Sequence, residues 1–287
     1  MASGHGRRGP SDAPLPARVL RVSTRNSAFQ VLESLRTNRR KRHATRTFVV
    51  EGVRPITLAI EHGWEFAAIA YDPARARSSW ASGVLAARPA AMRYELAPSL
   101  VAALSGKDEP SELLAVVRMR GNQASDIAPR PDLLVMVGDR VASPGNLGTL
   151  IRSCDALGAH ALIGTGHAAD PYDPGAITAS RGSLFAVPVC TADAADVRAL
   201  VDRTRAACGS CRLVCADESG TVELADCDLR GPVVLVLGNE THGVSRAYRD
   251  ACDTLVRIPM SGAASSLNVA VAGSIVLYEA ARQRRPF

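Results

Sequence analysis

VVLVLGNETHGVS, residues 233–245, is an unbroken apolar run that stops in a sharp turn. The run lacks two-residue alternation, so both faces of the strand must be covered, as in a parallel sheet held between helices. Gly238 and Asn239 make the turn and Gly243 follows; glycines there let main-chain amides approach a ligand closely. Working outward, LLVMVG (133–138), HALIG (160–164), LFAVPV (184–189), RLVCA (212–216) and TLVRIP (254–259) read as further strands with helical stretches between them. The alternation predicts an α/β domain over residues 132–287. In open sheets of this type ligands sit beyond the carboxyl ends of the strands. Three blocks fall there: NLGTLIR (146–152), LGNETHGVS (237–245) and IPMSGAASSLNVA (258–270).

The first block opens a helix from about Asn146 to Leu157, stopped by Gly158. Leu147, Leu150, Ile151, Cys154 and Leu157 share its core face, and Asn146, Thr149, Arg152 and Ser153 the other. Taken alone, Arg152 reads as a solvated side chain. In the second block Glu240 is placed either to pair with an arginine such as Arg152 or simply as an acid in the first turn of a helix. In the third, Ile258, Met260 and Leu267 offer an apolar slot, while Ser265 or Ser266 reads as the N-cap of the apolar helix that follows.

The first half is organised differently. Residues 1–22, rich in Gly, Pro, Ser and Arg, read as a disordered basic tail. Residues 23–120 alternate helix and strand and predict a small α/β domain, beginning with a helix marked by Phe29, Leu32 and Leu35. The polar segment 121–131, with two prolines, is the expected linker. Of the net charge of +6, residues 1–50 supply more than the whole, carrying 11 Lys and Arg against two acids. A localised basic block favours a polyphosphate partner through counterion release, and the cluster Arg39, Arg40, Lys41, Arg42 is the expected phosphate contact.

The three blocks in this order resemble the SpoU family of S-adenosylmethionine-dependent RNA 2'-O-ribose methyltransferases. Within it the similarity is strongest to the avilamycin-resistance 23S rRNA uridine type, through SxNxxFQ near Asn26, EGVRPITLAIEHGW, SPGNLGTLIRSCDALGAH and GSLFAVP. The resemblance implies a C-terminal trefoil-knotted parallel-sheet catalytic domain, a small N-terminal α/β RNA-binding domain and a cytoplasmic homodimer that methylates 23S rRNA. It implies catalytic roles for Arg152, Asn146, Glu240, Asn268 and Ser266. It further implies S-adenosylmethionine contacts from Leu237, Gly238, Asn239, Gly243, Ile258, Met260, Ser265 and Leu267, and rRNA contacts from Arg39, Arg40, Lys41, Arg42 and Arg54. Arginine is an awkward base, since its pKa of roughly 12.5 to 13.8 keeps it protonated; orienting a phosphate and stabilising the developing alkoxide is physically easier than proton abstraction.

Other readings compete with this one. GTGHAA (164–169) fits a dinucleotide fingerprint, but DPYDP follows where a helix should open, which argues against a nicotinamide dehydrogenase. A tRNA methyltransferase, or a ribosome-binding protein that kept the fold without the activity, accounts for the same motifs. Seven cysteines without a secretory signal predict a reducing compartment and no disulfides. Cys208, Cys211 and Cys215 lack a second ligand pair, so no metal is expected. The longest apolar run, 269–277, is too short to span a bilayer.

Overall fold

The computed structural model describes residues 18–88, 91–105, 107–239, 241–263 and 266–284. In the N-terminal unit the order is β1 (Val19–Val22), α1 (Ser27–Thr37), α2 (Arg39–Thr45), β2 (Thr47–Glu51), α3 (Val53–Glu61), β3 (Phe66–Tyr71), α4 (Ser79–Ala86), β4 (Met92–Leu96), α5 (Pro98–Ser105) and β5 (Leu114–Arg118). The sheet order is β1-β4-β3-β5-β2, with β1, β4 and β3 parallel and β5 antiparallel to both β3 and β2. Asn26 caps α1 by accepting from the Phe29 amide, and Asn38 ends α1 while capping α2 through the Lys41 amide.

Strand β1 corrects the expected tail. Residues 1–17 lie outside the described residues, but Val19–Val22 pair in register with β4. Only Val22 is buried, so the segment shows no apolar period; its partner lies some seventy residues away and supplies the ladder.

The second unit runs β6 (Leu134–Asp139), α6 (Pro144–Ala156), β7 (Ala161–Thr165), α7 (Pro174–Ser180), β8 (Val189–Ala192), α8 (Ala194–Cys208), β9 (Arg212–Ala216), β10 (Val222–Glu223), β11 (Val233–Leu237), α9 (Arg246–Arg249), β12 (Thr254–Arg257) and α10 (Val269–Arg284). All seven strands are parallel, in the order β10-β12-β9-β11-β6-β7-β8. Helices α6, α7 and α10 cover one face and α8 and α9 the other, which is why the strands are apolar on both sides. β12 inserts between β9 and β10 although it follows both in the chain. Residues 217–221 therefore cross its end, with Asp217 and Thr221 amides donating to Val256 and Leu255 carbonyls at 3.0 and 3.1 Å. A Cβ at Gly220 would lie 2.3 Å from the Val256 carbonyl carbon, so this crossing tolerates no side chain.

LFAVPV is not a strand throughout. Ser183–Phe185 form a 3₁₀ turn and β8 starts only at Val189, after Pro188. Phe185 is drawn instead into a core shared by both units, where it meets Trp64 edge-on at 5.2 Å and its carbonyl accepts from Trp64 Nε1 at 3.0 Å; Phe48 and Tyr172 complete the cluster. The linker is not slack either. Ala124 is buried, and the Ala124 and Ser125 carbonyls accept from Arg203 of α8.

Arg42 corrects the sequence expectation most directly. It is 2% exposed, so it is no surface phosphate contact. Its Nε and Nη2 donate to Asp170 Oδ2 at 3.0 and 2.8 Å, Nη2 also reaches Asp173, and Nη1 donates to the Leu35 and Arg36 carbonyls. A buried charge of this kind persists only when paired and fully hydrogen-bonded. Arg42→Met should therefore strand the Asp170 carboxylate and cost about 3–5 kcal/mol of stability, read as a lower urea midpoint.

Candidate active site

The second and third blocks meet at the carboxyl ends of β9, β11 and β12, and the first, which follows β6, joins them through Asn146. After β11 the chain doubles back so closely that a Cβ at Gly238 would lie 2.0 Å from the Gly243 carbonyl carbon. Asn239 and Gly243 exchange main-chain hydrogen bonds of 3.0 and 2.9 Å, and Gly243 has φ +60°. The Asn239 side chain accepts from the Thr241 and His242 amides and donates to the Arg140 carbonyl. Arg140 returns to the loop, donating to the Gly243 carbonyl at 2.9 Å.

Two carboxylates hold this loop from below. Asp139, buried at the end of β6, accepts from the Ser245 amide at 2.8 Å and from the Thr165 hydroxyl. Asp217, just past β9, accepts from the Val244 amide at 3.1 Å, from Ser219 and from Arg249 at 2.9 Å. Burial opposes ionisation of Asp217, but its hydrogen bonds from Ser219 and Val244 and the Arg249 charge outweigh it and leave the carboxyl below its ordinary pKa.

Above the loop is a cavity of about 490 Å³. Leu237, Gly238, Ile258, Met260, Leu267, Val269 and Ala272 give it apolar walls; Asp217, Glu218, Asn239, Thr241, His242, Arg249 and Ser266 are its polar groups, and Gly243 lines it as well. Every predicted cofactor residue within the described region lines this cavity. Ser265 and Glu240 lie outside the described residues. Sequence reasoning missed Asp217 and Glu218, though the strand-end rule applied to RLVCA points to them. It also misplaced the cap of α10. Asn268, rather than Ser266, accepts from the Ala270 and Val271 amides.

Asn268 Nδ2 also donates to Asn146 Oδ1 at 3.1 Å, tying the start of α10 to that of α6. Gly273 lets the two helices close: a Cβ there would lie 2.4 Å from Leu150 and 2.6 Å from Leu237. Arg152 does not line the cavity. It is exposed on α6, and its guanidinium makes no hydrogen bond or ion pair among the described residues. Of the basic residues, Arg39, Arg40, Lys41 and Arg54 are exposed.

Residues 133–278 match the family model of the SpoU rRNA methylases, and residues 26–115 that of the SpoU L30e-like domain. The chain belongs to the SpoU rRNA methylase family. It is 45% identical over 99% of its length to the 23S rRNA (uridine(2479)-2'-O)-methyltransferase of Streptomyces viridochromogenes, covering 97% of that protein. The crystal structure of the SpoU methyltransferase AviRb from the same organism, in complex with the cofactor AdoMet, superposes with a TM-score of 0.85 at 46% identity, over 91% of this chain and 98% of that one. An AdoMet-bound rRNA methyltransferase from Sinorhizobium meliloti gives 0.83 at 29% identity, over 92% and 98%. As a SpoU enzyme the chain is an S-adenosylmethionine-dependent RNA methyltransferase.

The cavity suits that cofactor. Its volume falls in the range of small-molecule sites, about 300–1,000 Å³, and it sets apolar walls opposite main chain and carboxylates. Among the described residues no three His, Cys, Asp or Glu side chains gather to hold a metal. Cys211 and Cys215 are core thiols, their pKa values pushed up by burial. No helix among the described residues is long and apolar enough to cross a membrane.

Because the folded pKa of Asp217 is depressed, its contribution is complete above the unfolded carboxylate value, about 3.9, and is lost as pH falls through the folded one. Unfolding midpoints of wild type and Asp217→Asn should therefore converge below about pH 4 and differ above it.

Proposed function

We propose that this enzyme methylates the ribose 2'-hydroxyl of a uridine in 23S rRNA and that the methyl group blocks a ribosome-targeting antibiotic of the avilamycin type. The observation that carries the substrate assignment is identity of 45% extending over 99% of the chain, across the N-terminal domain as well as the catalytic one. A 2'-O-methyl group removes a hydroxyl donor and adds apolar bulk, enough to obstruct a tight ligand on the ribosome. The substrate would be met in the cytoplasm.

When bound, S-adenosylmethionine supplies an electrophilic methyl group. The residues proposed to hold it are Leu237, Gly238, Asn239, Gly243, Ile258, Met260 and Leu267, together with Ser265. Arg152 is proposed to orient the target phosphate and stabilise the developing alkoxide, a role suited to an exposed guanidinium with no partner among the described residues. Asn146 and Asn268 keep α6 in register with the cavity through their mutual bond. Ser266, at the cavity wall, and Glu240 complete the proposed set. Arg39, Arg40, Lys41 and Arg54 are proposed RNA contacts.

Two further features belong to this reading. Insertion of β12 between β9 and β10, with residues 217–221 laid across its exit, supports a trefoil knot through which the chain reaches α10. On α10, Val271, Ile275 and Tyr278 form an exposed apolar stripe at helical spacing, 36–52% accessible, which supports burial against a second copy.

The test is transfer from labelled S-adenosylmethionine to bacterial 23S rRNA, with the site mapped by low-nucleotide primer-extension stops. A single stop is expected; transfer to tRNA alone would overturn the substrate assignment, and no transfer to any RNA the enzymatic reading. Arg152→Ala should lower kcat by about 10² to 10³ while cofactor binding by calorimetry is unchanged. Ile275→Glu with Tyr278→Glu should convert a dimer to a monomer in analytical ultracentrifugation.

A further inference from the structure

Three elements converge on the 3₁₀ turn at Ser183–Phe185, which sits on the seam between the two units. From α6, Gly148 and Asp155 flank Arg152 on one helical strip, at spacings of four and three residues. A Cβ at Gly148 would lie 2.3 Å from the Ala176 carbonyl oxygen, and the Ser183 hydroxyl donates to Asp155 at 2.6 Å. Arg152 therefore overlooks residues 176–183. From α3, a Cβ at Gly182 would lie 2.6 Å from Leu58 and 3.4 Å from the Cα of Pro55, the neighbour of Arg54. Between them, immediately before Gly182, stands Arg181.

Arg181 is exposed and holds φ +53° at the end of α7, in the left-handed region that favours glycine. Three non-glycine residues among those described have positive φ, and all are arginines. The Arg140 guanidinium binds the Gly243 carbonyl, and that of Arg46 lies against Gly121. The Arg181 guanidinium has no hydrogen bond or ion pair among the described residues, nor do those of Arg54 and Arg152. Exposed arginines elsewhere commonly answer a carboxylate, as in Arg118 with Glu65, Arg205 with Asp253, Arg230 with Asp228 and Arg282 with Glu279. Three uncompensated guanidiniums thus gather on one seam, which the buried Arg42 to Asp170 pair and the Trp64 to Phe185 contact hold fixed.

We propose that Arg181, with Arg54 across the seam, grips backbone phosphates of the RNA strand beside the target ribose and so delivers the target to Arg152. The proposal rests on the RNA-methylating reading and adds Arg181 as a substrate-binding residue. Guanidiniums suit the task because their planar fork meets phosphate oxygens in pairs. Such contacts fix register on the strand without reading sequence.

The experiment is RNA binding across a salt series, with a 23S rRNA transcript and bulk tRNA, using wild type, Arg181→Gly, Arg181→Lys and Arg198→Ala. Arg198 is a further exposed arginine whose guanidinium has no partner among the described residues, on α8 across the sheet, and serves as the control. Glycine relieves the backbone at 181, so the thermal midpoint should hold or rise and weaker binding cannot come from unfolding. Arg181→Gly should weaken binding and lower the salt slope by about 0.7 to 0.9 for each lost phosphate contact. Arg181→Lys should keep most of the slope, Arg198→Ala all of it, and the KM for RNA should rise with kcat at saturation unchanged. A wild-type slope and affinity in Arg181→Gly, or an equal loss in Arg198→Ala, would overturn the grip. Absence of methyl transfer to 23S rRNA by the wild type, with the Arg181-dependent slope intact, would sink the substrate reading and leave the grip standing.

Discussion

The carboxyl end of the catalytic sheet is built from main chain packed directly on main chain. At Gly238 against Gly243 and at Gly220 against Val256, one backbone passes another at a distance that leaves no room for a Cβ. A third close approach, Gly273 against Leu150 and Leu237, seats α10 on α6. These contacts determine the cavity wall, the path of residues 217–221 and the approach of Asn268 to Asn146. A substitution at Gly238 or Gly220 would have to move backbone, whereas one at Gly273 meets the ends of two leucines. The rigid positions are therefore those where the polypeptide crosses itself.

Close crossings leave amides and carbonyls that the sheet cannot satisfy, and buried carboxylates meet that need. Asp139 takes the Ser245 amide, Asp217 the Val244 amide and Asp170 the Tyr172 amide. Each is also near an arginine: Arg140, Arg249 and Arg42 respectively. The pattern is one of acids as struts beneath loops, with guanidiniums limiting the penalty of burying charge. It explains why the arginine-rich composition is only partly a nucleic-acid signal. Some of these cations are internal, and Arg42 is the clearest case.

Much of the fold could be read from the sequence because the catalytic strands are continuous apolar runs and the helices between them carry an amphipathic period. RLVCA is β9 without change, and Pro144–Ala156 covers the predicted first-block helix to within two residues at each end. Errors arose where a distant partner decides. VLRV forms β1 only because β4 lies open beside it, and LFAVPV curls because Phe185 is captured by the other unit's aromatic residues. The cavity-lining set was legible from the glycine turn after β11, the apolar residues Ile258, Met260 and Leu267, and the family resemblance of the blocks that carry them. The position of Asp217 follows from the strand-end rule, but its hold on the Val244 amide does not, since that group is its neighbour only after folding; the cap made by Asn268 is local and was overlooked beside the two serines.

The aromatic cluster of Phe48, Trp64, Tyr172 and Phe185 has a consequence for how such a protein could be rebuilt. The segment 121–131 looks like a natural place to cut, and exchanging the front half for that of another protein looks like a simple modular graft. The cut would instead divide a single core, leaving Phe185 and Tyr172 facing foreign side chains and Asp170 without its guanidinium. A workable chimera would have to carry Phe48, Trp64 and Arg42 across as a set. Retargeting to a different RNA is better sought by changing exposed side chains on an intact seam than by exchanging the unit that displays them.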